Sequence, residues 1–496
     1  MNQPELKLTG QRRPGPFVYI AIITFLLLLY YAYFRIFEFD EGWSYWAVQS
    51  ESFLDLIKYK HYNNANNHII NSLWFKTLQL LGVKEIVFYR ALNLICFIIY
   101  SSYLYKIARS SVATWQNKHD AYLVLFYMPT VIFFFASGRG YGMALTFFVV
   151  ALYYMKLHLT DNKQKSYFLF ILSGALSSIA IVSFYFPFIA MVLFMYIKKF
   201  PFKLFTTQNI VGAVILLALT GYIYYVGNTI IVNDVVMPGT DIGIINGTDN
   251  LFINGMYASF VNSLSVYFGV FPDKDFYIKY HVQFISKLWI LITAIPVLFI
   301  LVKDNITKYS EYIILAIMTV LFLATHYILK SKYPSDRSSS YLLFLIYLPI
   351  IYHMVKTNSI WIKIHYFSVL FFGLVNFYSF FYELTMKPTV YSAMKKMPAK
   401  EYTILSDWPN YADLVHNKFY FNSRLHFEYL MENYEHDSTL IDKKIKEAAA
   451  NRNADFVLLQ DLNYQQHQQL FGADSFSVQR VISSNSKDFY LLQRKK

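Results

Sequence analysis

Long apolar runs, separated by short charged segments, dominate the first 382 positions of the chain. An α-helix needs about 20 predominantly apolar residues to cross the hydrocarbon core of a bilayer. The pattern therefore predicts a mainly α-helical, polytopic transmembrane bundle of eleven spans. The predicted spans are residues 17–37, 86–105, 120–136, 140–157, 167–184, 186–197, 209–228, 285–302, 310–329, 339–355 and 361–382.

Two of these predicted spans need comment. Segment 186–197 is short and contains Pro187, so it either forms its own span or merges with 167–184 into a bent or re-entrant element. The first span follows Arg12-Arg13-Pro14, is too long for the apolar core of a signal peptide, and has no small-residue cleavage site before Glu38. We therefore expect it to remain as an anchor.

The distribution of Lys and Arg sets the expected orientation. Sixteen of them lie on one set of short connections, whereas the short turns on the opposite side hold only Arg139, Lys330, Lys332 and Arg337. The positive-inside rule then predicts a cytoplasmic N-terminus and an outside C-terminal segment. The expected location is a plasma membrane, in bacteria the inner membrane. The two long loops at 38–85 and 229–284 then face outside, and connections of that length usually carry function or structure.

Composition excludes several classes of protein. Hydrophobic residues make up 56% of the chain and charged residues 15%, against roughly 25% charge in a typical soluble domain. The net charge of +13 arises in residues 1–382, with 29 Lys/Arg against 17 Asp/Glu, whereas residues 383–496 hold 15 against 14. The excess thus lies between apolar runs, so no nucleic-acid partner is expected. The single cysteine, Cys96, excludes an intrachain disulfide.

Residues 383–496 form a second unit of ordinary soluble composition, after the transmembrane unit 1–382. Strand-like stretches at 402–405, 456–459 and 489–492 alternate with helix-like ones at 426–433 and 439–450, which predicts a small extracytoplasmic α/β domain. This segment contains no nucleotide loop, metal-spaced Cys/His set or Ser-centred elbow. We interpret it as a packing or acceptor-docking module.

An acidic cluster of Glu38, Asp40 and Glu41 stands directly after the first span. Like charges raise one another's pKa, which suits a general base or, with a divalent cation present, an oxygen-ligand site. The alternative is a solvated helix cap with Asp40 at the N-cap. Asp40 and Glu41 are the candidate catalytic residues and, together with His68, the candidate metal ligands. A divalent metal ion is the one cofactor considered.

The same loop continues as His61-Tyr62-Asn63-Asn64-Ala65-Asn66-Asn67-His68. Its amides and imidazoles offer many neutral donors and acceptors, which suit sugar hydroxyls or the rim of a metal site. A solvated polar turn is the competing interpretation. Asn67 and His68 are the candidate substrate-binding residues of this loop.

Two basic turns share the expected outer side. Ser137-Gly138-Arg139-Gly140-Tyr141 places an Arg between glycines, which lets backbone and guanidinium approach an anion such as phosphate. The turn Lys330–Arg337 departs from the positive-inside trend, as a clamp for a lipid-linked phosphate would, with Arg337 the leading candidate and Lys330 or Lys332 second. The alternatives are a tight turn with a snorkelling Arg and an interfacial anchor.

Taken together, these residues resemble the polytopic C-type (GT-C) glycosyltransferases, in particular the family 39-like group that contains protein O-mannosyltransferases and bacterial lipid A aminoarabinose transferases. The resemblance lies in Asp40-Glu41, Asn67-His68, Ser137-Gly138-Arg139-Gly140-Tyr141, and Tyr333-Pro334 with Arg337 and Tyr341-Leu342-Leu343. One departure is that His68 precedes Ile69-Ile70-Asn71, where members often have two prolines and a leucine.

The resemblance implies an inverting enzyme that passes a sugar from a polyprenyl-phosphate carrier to an acceptor hydroxyl outside the membrane. By the same resemblance, Asp40 would be the base and Glu41 would assist it or help to hold a cation. Arg139, Tyr141, Lys332 and Arg337 would bind the donor phosphate. The expected partners are this donor, membrane lipids, and an acceptor lipid, glycan or protein that the sequence does not identify.

Two other functions compete with this prediction. A transporter or flippase of lipid-linked glycans would need charges along a path through the membrane and broken helices. Arg35 and Arg90 near span ends, and Pro187 inside a span, are the features that favour it. A non-catalytic scaffold that presents the outside domain is the second, and it would leave the acidic cluster and the two basic turns without a common purpose.

Overall fold

The computed structural model describes only part of the chain. The described residues are 16–34, 39–60, 68–111, 125, 134–199, 206–236, 247–248, 295, 298–299, 302–303, 309–329, 333–334, 339–357, 402–406, 425–429, 438–450, 454–482 and 488–495. Predicted spans 120–136 and 285–302 lie largely outside these residues, and 361–382 lies wholly outside them.

In chain order, the described elements up to residue 357 are α1 (Pro16–Phe34), α2 (Phe39–Ser50), α3 (Phe53–Ile57), α4 (Ile69–Leu80), α5 (Ile86–Ser111), α6 (Tyr141–Asp161), α7 (Gln164–Ala180), α8 (Tyr185–Lys198), α9 (Thr207–Val236), β1 (Gly247–Thr248), α10 (Ser310–Leu329), β2 (Tyr333–Pro334) and α11 (Tyr341–Thr357). Later elements are β3 (Tyr402–Ser406), β4 (Leu425–Tyr429), α12 (Ser438–Ala450), β5 (Phe456–Gln460), α13 (Asp461–His467), β6 (Phe476–Ile482) and β7 (Asp488–Arg494).

Helices α1, α5, α6, α9 and α10 are long and apolar enough to cross a membrane, and α8 and α11 are shorter apolar helices. This agrees with the predicted polytopic helical bundle. On α9 the side chains of Val214, Leu217 and Tyr224 are 59%, 72% and 69% exposed. Their spacing places them along one side of the helix, where lipid would be the solvent.

Helices α7 and α8 are two separate elements. A single 3₁₀ turn, Val182–Phe184, lies between them. Pro187 is the third residue of α8, within the first turn, where a missing N–H removes no intrahelical hydrogen bond. Pro187 therefore follows the break between α7 and α8. Segment 186–197 belongs to a helix of its own and does not merge with 167–184 into one continuous helix.

Aromatic side chains join the helices in the interior of the bundle. The ring of Phe184 lies 6.0 Å from that of Phe148 on α6 and 5.1 Å from that of Tyr341 at the start of α11. Tyr100 on α5 contacts Phe344 on α11 at 5.9 Å. These buried rings fix α5, α6 and α11 around one apolar core, because offset and edge contacts add to the free energy of burial.

The end of the bundle opposite the start of α6 has polar contacts of its own. Lys156 on α6 forms an ion pair with the buried Glu311 on α10. The Lys199 ammonium, directly after α8, lies 2.6 Å from His158 Nε2 and 2.5 Å from Asn162 Oδ1. Burial lowers the pKa of Lys199. These contacts hold the α6–α7 turn against α8.

The described residues of the first long loop, 38–85, include helices α2, α3 and α4. Lys76 Nζ on α4 donates to the carbonyls of Val48 at 3.1 Å and Gln49 at 3.0 Å, which satisfies the C-terminal end of α2. Ser52 caps α3 through Asp55, since its hydroxyl accepts from the Asp55 N–H at 3.1 Å and donates to the carboxylate at 2.6 Å. This hydroxyl lowers the pKa of Asp55.

The second long loop, 229–284, is described only in part. Its residues Gly247 and Thr248 pair antiparallel with Pro334 and Tyr333 as the two-stranded β1–β2 ladder. Tyr333 also stacks on His326 at the end of α10, with ring centroids 4.4 Å apart. The ladder thus connects this loop to the turn that the sequence singled out as basic.

The C-terminal segment contains a five-stranded sheet of order β4-β3-β5-β7-β6. Strands β4, β3 and β5 run parallel, and β7 and β6 are antiparallel. Phe456, Val457, Leu458 and Leu459 are all buried, so the central strand β5 is covered on both faces. The predicted strands at 402–405, 456–459 and 489–492, and the helix at 439–450, are confirmed within the small α/β domain.

The helix predicted at 426–433 was wrong, because residues 425–429 form strand β4. β4 pairs with β3 along its whole length, from Tyr402–Leu425 to Ser406–Tyr429. The sequence Leu-His-Phe-Glu-Tyr also alternates apolar and polar residues with the period of a strand. Pairing with the available edge of β3 outweighs the local helix propensity.

Candidate functional site

A buried ion pair forms the centre of the candidate site. The side chains of Glu41 on α2 and Arg90 on α5 are both 0% exposed. Arg90 Nε donates to Glu41 Oε1 at 2.9 Å, and Arg90 Nη2 donates to Oε2 at 2.5 Å. Arg90 Nη1 donates to the Ala32 carbonyl near the end of α1 at 3.2 Å. This bidentate contact joins three elements around two charges.

The glycine-rich turn before α6 is attached to the same ion pair. The Gly138 N–H donates to Glu41 Oε1, and the side-chain amide of Asn71 on α4 donates to the Gly138 carbonyl. Asn93 on α5 donates to the carbonyls of Ser137 and Arg139, each at 2.5 Å. The acidic motif and the glycine–arginine motif, 97 positions apart at Glu41 and Gly138, are therefore in direct contact.

Close packing explains why this turn contains glycines. A Cβ on Gly138 would lie 2.8 Å from Phe75 Cζ, and one on Gly140 would lie 2.7 Å from the Ala180 carbonyl oxygen and 2.9 Å from His68 Cβ. Neither distance is open to a real side chain without a shift of the neighbours. The glycines thus allow the turn to pack closely against both the loop 38–85 and the end of α7.

Arg139, Tyr141 and His68 form an aromatic and cationic group beside the ion pair. The Arg139 guanidinium carbon lies 4.9 Å from the centre of the Tyr141 ring, and Arg139 is 3% exposed. The His68 ring contacts Tyr141 edge-on with centroids 4.9 Å apart, and Phe134 stacks on Tyr141 at the same distance. Four of the predicted site residues, Glu41, His68, Arg139 and Tyr141, therefore lie together.

The other predicted site residues fall outside what can be described. Asp40 lies in α2 beside Glu41, but its side chain is not among the described ones. Asn67, Lys332 and Arg337 are also outside the described residues. The roles assigned to these four residues stay predictions.

Arg90 and Asn93 are site residues to which the sequence analysis gave no role at the site. Both are fully buried and lie three positions apart on α5, on the face that continues with Phe97 and Tyr100. Polar residues on the inward face of an apolar helix are costly unless they have partners, and this spacing is the signal that would have identified them. Asn71 was noted only as one of the residues that follow His68, without an assigned role.

Glu41 is the predicted metal-binding carboxylate whose hydrogen-bond partners are described. Both oxygens of Glu41 already accept hydrogen bonds from Arg90, and Oε1 also accepts one from Gly138. Within the described part of the chain, no three His, Cys, Asp or Glu side chains come together in a group that could hold a metal ion. Glu41 therefore does not fit a metal ligand. Asp40, whose side chain is not among the described ones, and His68 stay predicted metal ligands.

Contacts between helix ends place the whole site at one end of the bundle. Gly140 at the start of α6 lies against Ala180 at the end of α7, and Phe184 before α8 contacts Tyr341 at the start of α11. The Lys156–Glu311 pair lies near the other end of α6. The site is thus a buried polar region at one end of an apolar bundle, next to the helices of the loop 38–85.

No protein family model matches the chain, and no curated protein matches it. Among solved structures, it is similar to the crystal structure of ArnT from Cupriavidus metallidurans in the apo state, with a TM-score of 0.44 and 11% identity over 96% of this chain and 97% of that chain. The crystal structure of the same protein bound to undecaprenyl phosphate gives a TM-score of 0.41 and 10% identity over the same shares.

Proposed function

We propose that this protein is an integral-membrane inverting glycosyltransferase, which moves a sugar from a polyprenyl-phosphate donor to an acceptor hydroxyl at the outer face of the membrane. The observation that carries the proposal is the contact between Glu41 and Gly138. It brings the acidic motif after the first span and the Gly-Arg-Gly turn before α6 into one site. A base beside a phosphate-binding cation is what displacement at a phosphate-bearing carbon requires.

The ion pair narrows the choice of base to Asp40. Both carboxylate oxygens of Glu41 accept hydrogen bonds from Arg90, so a proton transferred to Glu41 would weaken this buried ion pair. Asp40 is the neighbouring carboxylate on α2, so we assign it the acceptor proton. Glu41 then has a structural role, connecting α1, α5 and the glycine-rich turn.

Arg139 is proposed to bind the phosphate of the donor. It follows Gly138 in the turn held by Glu41, and its guanidinium lies on the Tyr141 ring. In the proposed reaction, the acceptor oxygen forms a bond to the anomeric carbon while the bond from that carbon to the phosphate oxygen breaks. The phosphate leaves with the electron pair and needs no proton, so one base and one cation suffice. Lys332 and Arg337 are proposed as additional phosphate ligands.

The transporter alternative loses two of its three supporting features. Arg90 is bound to Glu41, so it does not line an open path, and Pro187 lies in the first turn of α8 after a break that already exists. Within the described residues, Glu311 is the buried carboxylate of a helix long enough to cross the membrane, and it is paired with Lys156. Arg35 lies outside those residues.

The test is an incubation of the purified, detergent-solubilised protein with a panel of polyprenyl-phosphate sugars, following release of free polyprenyl phosphate. We expect release by the wild type, a loss of at least about 100-fold in Asp40→Asn, and a comparable loss in Arg139→Gln. Matched controls are Asp55→Asn, a carboxylate of the same loop, and Arg109→Gln, an exposed arginine at the far end of α5. Both controls should keep full release.

Two outcomes would overturn the proposal. Full activity in Asp40→Asn removes the assigned base. Saturable lipid binding without release, across the whole panel and with candidate acceptors added, favours a transporter of lipid-linked glycans. Release that depends on Asp40 would identify both the reaction class and the sugar.

A further inference from the structure

Side chains hold all three backbone carbonyls of the turn at 137–139 and the N–H of its central residue, Gly138. Glu41 accepts from the Gly138 N–H, Asn71 donates to the Gly138 carbonyl, and Asn93 donates to the two carbonyls on either side. A turn that begins a membrane helix has few neighbours of its own to satisfy these groups. Three separate elements, α2, α4 and α5, supply them.

Asn93 alone holds the two carbonyls that bracket Gly138. Its amide nitrogen lies 2.5 Å from the Ser137 oxygen and 2.5 Å from the Arg139 oxygen, so both of its N–H groups are used. The side chain is fully buried, and burying an amide costs free energy unless its hydrogen bonds are made. The two carbonyls thus account for the presence of a hydrogen-bond donor at this position of an apolar helix.

We infer that Asn93 is a positioning residue, whose amide clamps the carbonyls of Ser137 and Arg139 and thereby fixes the direction in which Arg139 presents its guanidinium. This inference rests on the proposed function in one respect, namely that Arg139 binds the donor phosphate. The clamp itself is a property of the fold.

The glycines in the turn are the reason that a clamp is needed. Gly138 and Gly140 are required by close packing, but glycine leaves the backbone more freedom than any other residue. A flexible turn would let Arg139 leave the Tyr141 ring. Each binding event would then include the entropic cost of ordering the turn. By holding the peptide groups on both sides of Gly138, Asn93 removes that freedom before the donor arrives.

The experiment uses the full-length protein and two readouts. The first is hydrogen–deuterium exchange of the peptide covering residues 134–145, and the second is binding of undecaprenyl phosphate to the protein in nanodiscs. The variants are Asn93→Leu, which has a similar volume and no donor, and Asn93→Asp, which keeps the shape. The control is Ser101→Ala, a buried polar residue of α5 whose hydroxyl bonds only to the Phe97 carbonyl of its own helix.

We expect Asn93→Leu to exchange faster at 134–145 and to bind undecaprenyl phosphate about tenfold more weakly, while Ser101→Ala matches the wild type. In turnover assays the loss should appear mainly in KM, because the reacting groups are unchanged. Asn93→Asp should regain part of the protection as the pH falls, since only the protonated acid can donate a hydrogen bond to a carbonyl. Asn93→Leu should show no such recovery relative to the wild type at the same pH.

Wild-type exchange in both Asn93 variants would overturn the clamp. Faster exchange with unchanged lipid binding would overturn its role in directing Arg139, provided that Arg139→Gln weakens binding. If Arg139→Gln also binds normally, the phosphate assignment in the proposed function fails, whereas the exchange result still decides whether the clamp exists. The two failures are therefore distinguishable.

Discussion

Arg90 and Glu41, 49 positions apart in the chain, form a bidentate ion pair in which neither side chain is exposed. Removing one partner from such a pair leaves an uncompensated buried charge, whereas neutralising both does not. The pair therefore predicts a characteristic pattern among single and double variants.

We expect Arg90→Met to lower the free energy of unfolding by about 3–5 kcal/mol, because it leaves Glu41 charged and buried. The double variant Arg90→Met with Glu41→Gln should recover most of that loss, since the neutral amide still accepts from Gly138. Thermal or denaturant unfolding in detergent measures both values. The exposed pair Lys60–Asp55, with its atoms 3.5 Å apart, is the control, and Lys60→Met should have no measurable effect. If the loss in the double variant equals the sum of the losses in Arg90→Met and in Glu41→Gln, the coupling between the two residues is contradicted.

Replacing Gly140 by alanine should cause a steric clash, whereas the same replacement at Gly221 should not. Gly140→Ala would bring a methyl group within 2.7 Å of the Ala180 backbone oxygen, which cannot rotate away. We expect a loss of activity and of folded yield. Gly221→Ala on α9 meets nothing within 4 Å and should stabilise the helix by up to about 1 kcal/mol. Equal behaviour of the two variants, measured by yield after size-exclusion chromatography and by turnover, would contradict the packing argument.

Asn162 ends α6 with a φ of 51°, in the left-handed region, and its side chain accepts from Lys199 at 2.5 Å. Asn162→Gly removes that hydrogen bond but suits the backbone. Asn162→Val removes the bond and forces a β-branched residue into an unfavourable conformation. We expect Val to be the less stable of the two by about 1–2 kcal/mol in thermal unfolding. A Val variant as stable as the Gly variant would show that the turn adopts another conformation.

In the C-terminal sheet, truncating a side chain on the central strand should cost more stability than truncating one on the edge strand. Phe456 on β5 is 1% exposed between β3 and β7, and Phe456→Ala should cost about 3–5 kcal/mol. Val478 on the edge strand β6 is 40% exposed, and Val478→Ala should cost little. Limited proteolysis of the full-length protein checks this, with cleavage within 402–495 expected in the first variant alone. Equal resistance of both variants would contradict the strand order.

Several parts of this architecture could be predicted because they depend on local pattern. A helix in lipid must be about 20 residues long and apolar, so composition alone located the spans that became α1, α5, α6, α9 and α10. Alternation in the C-terminal segment located β3, β5 and β7 in the same way. The strand β4 was missed because its pairing partner, β3, lies about twenty residues earlier and local propensity does not contain that contact.

The same distinction between local pattern and tertiary contact applies to the candidate site. The sequence by itself determined which polar residues are exceptional in an apolar chain, and so identified Glu41, His68, Arg139 and Tyr141 as residues of one side. It did not determine that Glu41 is bound by Arg90, nor that Asn93 and Asn71 hold the turn that carries Arg139. Only the tertiary structure decides which partner a buried charge or amide finds. The free energy of burial depends on atoms brought together from distant positions, and no local pattern records them.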